Sequence, residues 1–253
     1  MVRLESKDWT IDNVDAVIFD KDGTLVDLHY FWGKMTEMRA NAVIDKFQLP
    51  ESCNEKICFY LGYNINTKKM LSDGITALYS RAKIIEIFCE RLKELDILTS
   101  TMEIEEIFDS VSEKFYNEIE KYTKPIDEAI NFVKRIRGMN IKTAIVTSDS
   151  VVSTNLTLKQ FGWENLFDIV IGRESTIEMK ETGAPTKLAL DKICADPDCT
   201  VMIGDAPMDY ISAKNAGINR TILVATGQIS YLELQKTSLY VLNSLKDLEC
   251  LQI

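Results

Sequence analysis

Two aspartates separated by one residue are the strongest chemical signal in this sequence. Asp20 and Asp22 lie in the segment FDKDGTL, residues 19–25, directly after the apolar run Ala16–Phe19. One carboxylate can attack phosphorus, and a second carboxyl can protonate the leaving oxygen and later activate water. The pair therefore favours phosphoryl transfer through an acyl phosphate, although the same segment could also form a turn around Gly23 with capping residues.

Two later segments also place polar residues directly after apolar runs. Thr147 and Ser148 follow one such run, and their hydroxyls could bond a phosphoryl oxygen. Asp205 and Asp209 follow another run, at 200–203, and are four residues apart. These two acids could share a hard divalent cation, preferably Mg²⁺, which would offset the repulsion between an acidic site and an anionic substrate.

The elements that must position these residues alternate between strands and helices. Strands are predicted at 16–19, 142–146, 168–171, 200–203 and 221–224, and helices at 126–136, 151–161, 187–194 and 210–216. This alternation predicts an α/β fold in which helices cover both faces of a parallel sheet. Ligands of such sheets bind beyond the carboxyl ends of the strands, so the candidate residues should belong to one site.

A long segment with a different pattern separates the first of these strands from the others. Residues 28–122 carry apolar residues at helical spacing and no convincing strand. One helix is predicted at Leu28–Phe47, and Ser100 and Glu103 have the spacing of a capping box before another. We therefore expect an all-helical domain over 28–122, inserted into a core domain formed by 1–27 and 123–253.

Charge and composition exclude several classes of partner. The chain has 29 basic and 39 acidic residues, and its formal charge of −10 has the wrong sign for binding a nucleic acid backbone. No segment approaches the roughly 18 consecutive apolar residues of a membrane span, and the first 13 residues lack an apolar signal core. The six cysteines have no metal-site or dithiol spacing. We expect a cytoplasmic protein with neither nucleic acid nor membrane as a partner.

With these motifs in this order, the sequence resembles the haloacid dehalogenase (HAD) superfamily. It is most similar to the phosphoglycolate-phosphatase-type members, in which a helical cap is inserted after the first motif. The resemblance implies a HAD-like Rossmannoid core of three layers, with Asp20 as nucleophile, Asp22 as general acid/base and Thr147 as the phosphate-binding hydroxyl. It also implies that Asp205 and Asp209 support Mg²⁺ beside Asp20 and the main-chain carbonyl of Asp22, so these four aspartates form the expected metal site.

One element of the family pattern is altered in this chain. The family places a lysine in a Lys-Pro-x-Pro motif before a helix, where it steadies the nucleophile and the phosphate. The corresponding segment here is MKETGAPTK, residues 179–187, and alignment on Pro185 puts Thr182 at the lysine position. Lys180 and Lys187 are therefore both candidates for the phosphate-binding lysine, and the sequence leaves the choice between them open.

The sequence thus predicts an enzyme, a Mg²⁺-dependent phosphatase that hydrolyses a small phosphorylated metabolite through an aspartyl phosphate. The second acid, Asp22, disfavours a dehalogenase, because an alcohol needs a proton on departure whereas a halide does not. A sugar phosphomutase that uses the same residues is the alternative enzyme. A noncatalytic phospho-acceptor or binding module is the alternative outside enzymes.

Overall fold

The computed structural model describes residues 1–252, which form two compact units. The core unit consists of Met1–Asp27 and of the chain from Pro125 to the end of the described residues. The inserted unit consists of Leu28–Lys124. The structural division thus falls at 124 rather than at residue 122, where the sequence analysis places the end of the insertion.

Strands and helices alternate through most of the core unit, and the inserted unit is mainly helical. The strands are β1 (Val2–Glu5), β2 (Thr10–Val14), β3 (Ala16–Phe19), β4 (Tyr63–Asn64), β5 (Lys69–Met70), β6 (Lys142–Val146), β7 (Ile169–Ile171), β8 (Thr200–Gly204), β9 (Thr221–Val224), β10 (Tyr240–Leu242) and β11 (Glu249–Gln252). The helices are α1 (Leu28–Phe47), α2 (Asn54–Tyr60), α3 (Ile75–Leu78), α4 (Arg81–Leu92), α5 (Thr101–Asn117), α6 (Ile119–Tyr122), α7 (Asp127–Gly138), α8 (Val151–Phe161), α9 (Ala184–Ile193), α10 (Pro207–Asn215) and α11 (Tyr231–Leu234).

The main sheet of the core unit is parallel and has β3 near its centre. Among the described residues it contains six strands, in the order β10-β9-β8-β3-β6-β7. Side chains of β3 alternate between two apolar clusters, with Val17 and Phe19 in one and Ala16 and Ile18 in the other. Because successive side chains of a strand point to opposite faces, both faces of the sheet are buried, as predicted for this fold class.

Two helices of the core unit begin three residues earlier than the sequence analysis places them. Helix α9 starts at Ala184 rather than Lys187, and α10 starts at Pro207 rather than Tyr210. Each has a proline in its first turn, where the missing N–H costs nothing and the fixed φ angle suits the helix. The prolines therefore belong to the first turns of these helices and not to the loops before them.

A second sheet in the core unit was not predicted from the sequence. Its strands are antiparallel in the order β11-β1-β2, so that the two ends of the chain pair with each other. The side chains of Leu4, Ile11 and Val14 from this sheet join the same apolar cluster as Phe19. The sheet therefore packs on one face of the main sheet and belongs to the core.

The inserted unit has its own apolar core. Helix α5 begins after Ser100, whose hydroxyl accepts a hydrogen bond from the backbone N–H of Glu103 at 3.2 Å, which confirms the predicted cap. The prediction of a wholly helical insertion is wrong at one point, because β4 and β5 form a short antiparallel hairpin. Each of these strands has two residues, which is too few to show a periodic pattern. No helix within residues 1–252 is long and apolar enough to cross a membrane.

Candidate active site

The carboxyl ends of the central strands bring the predicted residues to one edge of the main sheet. In the register of the sheet, Phe19 lies beside Ile203 of β8 and Ile145 of β6. The next residue, Asp20, donates its backbone N–H to the carbonyl of Ile203 at 2.8 Å, so it leaves the sheet in a fixed direction. The residues that follow β3, β6 and β8 therefore emerge side by side.

A buried lysine lies between two of the aspartates. The Nζ atom of Lys180 is 2.5 Å from Oδ1 of Asp20 and 2.6 Å from Oδ1 of Asp209. We call these three residues the Lys180 cluster. All three are buried, and the second carboxylate oxygen of Asp209 accepts the backbone N–H of Ala206 at 3.0 Å. Asp209 therefore holds both the lysine and the start of α10.

The backbone before α9 places Lys180 in this cluster. Lys180 lies in a short helical turn that ends at Gly183, whose φ angle is +82°. A Cβ atom at Gly183 would lie 2.7 Å from the backbone of Asn215 in α10, so glycine is required for this close approach. The side chain of Asn215 also donates to the carbonyl of Glu181 at 2.8 Å. The Lys180 loop is thus fixed to the helix that carries Asp209.

Asp205 lies in a backbone cradle formed by two glycines. A Cβ atom added to Gly23 would lie 2.4 Å from Oδ2 of Asp205, and one added to Gly227 would lie 1.7 Å from the same atom. The hydroxyl of Thr226, beside Gly227, donates to the carbonyl of Gly23 at 2.5 Å and joins these two loops. The cradle therefore fixes the Asp205 carboxylate beside the loop that carries Asp20.

Negative charge exceeds positive charge in this part of the site. Burial raises the pKa of Asp20 to about 7, an effect that Lys180 opposes and that Asp209 and Asp22 increase. Burial, and then repulsion from Asp20 and Asp209, raises the pKa of Asp205 well above its usual range. The pKa of Lys180 is also raised, since its two carboxylate partners outweigh the effect of burial. One ammonium therefore faces three carboxylates.

The donor set of this region fits Mg²⁺. Within residues 1–252, Asp205 has no ion-pair partner, and no three acidic, histidine or cysteine side chains form a preassembled metal cage. Mg²⁺ does not need such a cage, because it is commonly held by one or two carboxylates together with waters and a substrate phosphate. Asp20 and Asp205 could provide these carboxylates, and a dication would offset their mutual repulsion.

The remaining predicted residues occupy different environments. Thr147 is buried, and its hydroxyl oxygen accepts the backbone N–H of Asp149 at 3.1 Å. Ser148 is exposed beside it in the loop after β6. Lys187 is exposed on α9 and forms no ion pair within the described chain, whereas Lys180 contacts Asp20 directly. The structure thus brings Lys180, and not Lys187, to the candidate nucleophile.

Sequence reasoning missed a second buried lysine in this region. The Nζ atom of Lys21 is 2.8 Å from Oδ1 of Asp22 and 2.9 Å from Oδ2 of Asp149, and we call these residues the Lys21 cluster. The side chains of Lys21 and Asp149 are 2% and 1% exposed, whereas that of Asp22 is 12% exposed. A charged residue at the end of an apolar strand was the available signal, and nothing in the sequence identified Asp149 as its partner.

Comparison with known proteins gives consistent matches over most of the chain. The family model for haloacid dehalogenase-like hydrolases matches residues 14–217. A phosphoglycolate phosphatase of Neisseria meningitidis is 26% identical over 210 residues, which cover 82% of this chain and 79% of that protein. The pyrophosphatase PpaX of Halalkalibacterium halodurans is 23% identical over 236 residues, which cover 93% and 95% of the two chains.

A solved structure shows the same fold. The crystal structure of a predicted phosphoglycolate phosphatase from Haemophilus somnus superposes with a TM-score of 0.71 and 16% sequence identity. The superposition covers 94% of this chain and 97% of the other. The fold predicted from the sequence is therefore confirmed.

Proposed function

Because this chain belongs to the haloacid dehalogenase-like hydrolases, we propose that it is a Mg²⁺-dependent phosphatase of a small phosphorylated metabolite. Its prediction as a hydrolase is confirmed by the family match. One observation carries the finer proposal, namely that Asp20 is buried at the end of the central strand with Lys180 at 2.5 Å. Asp205, in its glycine cradle, lies close enough to Asp20 for mutual repulsion to raise its pKa.

The proposed reaction has two steps of phosphoryl transfer. A carboxylate oxygen of Asp20 attacks phosphorus, and the bond from phosphorus to the leaving oxygen breaks as Asp22 donates a proton to that oxygen. Water then attacks the phosphorus of the aspartyl phosphate, and Asp22 accepts the proton of this water. The bond from phosphorus to Asp20 breaks, so that inorganic phosphate leaves and both aspartates return to their starting states.

Lys180 is the proposed phosphate-binding lysine. Its ammonium contacts one oxygen of Asp20 and would also lie near the charge of a phosphoryl group bound to the other oxygen. Asp209 holds this ammonium at 2.6 Å, which is a positioning role in addition to its expected role in supporting the metal. Thr147 and the exposed Ser148 would donate hydroxyl hydrogen bonds to the phosphoryl oxygens.

Asp20 and Asp205, with the main-chain carbonyl of Asp22, would hold Mg²⁺ in this proposal. When bound, the cation would neutralise the charge of the phosphoryl group and of its carboxylate neighbours. Three clustered carboxylates and a phosphate dianion would otherwise repel one another strongly in a buried site. Protonation of the leaving oxygen and deprotonation of the attacking water remain the task of Asp22.

The names of two relatives support this substrate class, since one is called a phosphoglycolate phosphatase and the other a pyrophosphatase. Both are small anions with a terminal phosphoryl group, and the proposed site binds that group. We therefore expect activity on a small acidic phosphate compound.

The experiment is a phosphate-release assay with phosphoglycolate, pyrophosphate and a hexose 1-phosphate. The wild-type protein should release phosphate in the presence of Mg²⁺, and Asp20→Asn should lower kcat by more than about 10⁴-fold. Asp191→Asn, which changes an exposed acid of α9, is the matched control and should retain activity. Equal rates for wild type and Asp20→Asn would contradict the proposal, and conversion of the hexose 1-phosphate to its 6-isomer would indicate the mutase instead.

A further inference from the structure

The Lys21 cluster connects two loops of the candidate site through buried charges. Lys21 lies in the loop after β3, and Asp149 lies in the loop after β6, so the 2.9 Å contact between their side chains joins the two. The backbone carbonyl of Lys21 also accepts N–H groups from Leu25 and Val26, at 2.8 and 3.1 Å. Both the backbone and the side chain of Lys21 are therefore fixed.

Asp149 is itself held at the start of a helix. Its Oδ1 atom accepts the backbone N–H of Ser150 at 2.7 Å, while its Oδ2 atom contacts Lys21. The hydroxyl of Ser150 accepts the backbone N–H of Ser153 at 3.1 Å and thereby caps α8. The carboxylate of Asp149 is thus a rigid anchor for the ammonium of Lys21.

Stability alone does not explain this buried pair of charges. Removing two charges from water carries a desolvation penalty, and apolar side chains of similar volume commonly stabilise a fold at least as well as a buried ion pair. Lys21 is also buried two residues beyond the apolar strand β3, at a position that an apolar side chain could fill. The pair therefore points to a requirement for a charge at a particular place, which is beside Asp22.

We propose that Lys21 and Asp149 form a positioning pair that fixes the carboxyl group of Asp22 for proton exchange with the leaving oxygen and with water. Lys21 contacts Oδ1 of Asp22, and the side chain of Asp22 is more exposed than either partner. Because Lys21 is itself held by Asp149, its contact with Oδ1 restricts the orientation of the Asp22 carboxyl group. This inference rests on the proposed function, in which Asp22 is the general acid/base, and it adds two residues that act through Asp22.

The test uses two phosphate esters that differ in their need for a proton. An alkyl phosphate requires protonation of its leaving oxygen, whereas 2,4-dinitrophenyl phosphate releases a stable anion and requires almost none. Lys21→Met should lower kcat/KM for the alkyl ester at least tenfold more than kcat/KM for the dinitrophenyl ester, because kcat/KM covers only the steps through loss of the leaving group, whereas hydrolysis of the aspartyl phosphate is common to both esters. Asp22→Asn should show the same preference more strongly, and Lys159→Met, which changes an exposed lysine of α8, should show none.

A double variant separates positioning from stability. Lys21→Met leaves Asp149 without its lysine and should lower the Tm, whereas Lys21→Met/Asp149→Leu removes both charges and should restore most of that Tm. The double variant should nevertheless keep the defect on the alkyl ester. If this double variant does not fold, Lys21→Met/Asp149→Asn provides the same comparison, because the asparagine side chain has nearly the same volume as that of aspartate and lacks the charge.

The results distinguish the inference from the function on which it rests. Equal losses of kcat/KM on the two esters, or recovery of kcat/KM for the alkyl ester together with the Tm, would show that the pair is structural and would overturn the inference. Wild-type rates on both esters in the double variant would also overturn it. If the wild-type protein hydrolyses neither ester, or if Asp20→Asn retains full activity, the proposed function fails and the inference fails with it.

Discussion

Two buried lysines of the core unit each lie between two aspartates, and the electrostatic states of the two clusters differ. In the Lys21 cluster, burial of Asp149 is outweighed by the attraction of Lys21, with smaller effects from the neighbouring Ser153 and from the backbone N–H of Ser150, and the pKa of Asp149 is lowered. In the Lys180 cluster, burial of Asp20 outweighs the attraction of Lys180, and the pKa of Asp20 is raised to about 7.

The two clusters therefore differ in whether neighbouring side chains compensate the negative charge of the aspartates. The anion of Asp149 is compensated by its protein neighbours and needs no further ligand. Asp20 and Asp209 share the one ammonium of Lys180, and the pKa values of Asp20 and Asp205 are raised, so a cation would compensate the remaining negative charge. We infer that the Lys180 cluster binds the reacting groups, while the Lys21 cluster supports them.

Removal of the divalent cation should have the largest effect of the changes that test this comparison. We expect EDTA to abolish phosphate release and excess Mg²⁺ to restore it. The carboxylates of the Lys180 cluster and of Asp205 carry more negative charge than the ammonium of Lys180 neutralises. Asp205→Ala should raise the Mg²⁺ concentration that gives half-maximal rate, whereas the exposed-site variant Asp191→Asn should leave it unchanged. Full activity of thoroughly demetallated protein would show that the protein alone compensates these charges.

The pH dependence of stability should have opposite signs for the two clusters. An acid with a raised pKa in the fold favours folding when protonated, so the contribution of Asp20 is lost as the pH rises from 3.8 to about 7. In EDTA the free energy of unfolding should fall by at most about 4 kcal/mol over this range. Asp20→Asn should reduce the slope of the free energy of unfolding against pH. Urea unfolding between pH 4 and 7 measures it, and addition of Mg²⁺ at pH 7 should increase the free energy of unfolding. An unchanged slope in Asp20→Asn would contradict the assignment.

Replacing the lysine of the reacting cluster should have the next largest effect. Lys180→Met should lower kcat/KM by more than about tenfold, a loss above about 1.4 kcal/mol, because Asp20 and the phosphoryl group lose their ammonium partner. Lys180→Gln should be nearly as damaging, since charge rather than stem packing is the cause. Lys187→Met is the control, because this lysine is exposed on α9. Steady-state kinetics showing the reverse ranking would assign the phosphate-binding role to Lys187.

The smallest expected effect is on the free energy of unfolding at acidic pH. The pKa of Asp149 is lowered in the fold, so its contribution is fully present above the ordinary value of 3.8 and is lost as the pH falls through the lower folded value. Asp149→Asn should therefore be less stable than wild type by about 1 kcal/mol at neutral pH, and this gap should narrow below pH 3.8. Denaturant unfolding at several pH values provides the measurement, and a gap independent of pH would exclude an ionic role for Asp149.

The sequence predicted the parallel sheet and the grouping of its strand ends, because both follow from local patterns. The strands β3 and β6 and the helices α1 and α8 have the bounds expected from apolar periodicity. The antiparallel sheet was missed because β1 pairs with β11 from the other end of the chain, and no local pattern encodes that partner. The hairpin of β4 and β5 was missed because its strands are too short.

The same distinction applies to the site residues. Asp20 and Asp22 were identified because their spacing carries chemical information, and Thr147, Asp205 and their neighbours because they follow apolar runs. The choice between Lys180 and Lys187 required the path of the backbone through Gly183, which the residue types do not determine. The pairing of Lys21 with Asp149 depends on the contact of two loops far apart in sequence, and it became visible only in the structure.

The central claim is that Asp20 carries the phosphoryl group during turnover, and covalent trapping tests it most directly. Asp22→Asn should slow hydrolysis of the intermediate, so brief incubation with 2,4-dinitrophenyl phosphate and Mg²⁺, followed by acid quench, should preserve it. Mass spectrometry should then show one added phosphoryl group, located on Asp20 and absent from Asp20→Asn/Asp22→Asn. A phosphoryl group on another residue, or slow turnover with no trapped species, would contradict the claim and would indicate direct attack by water.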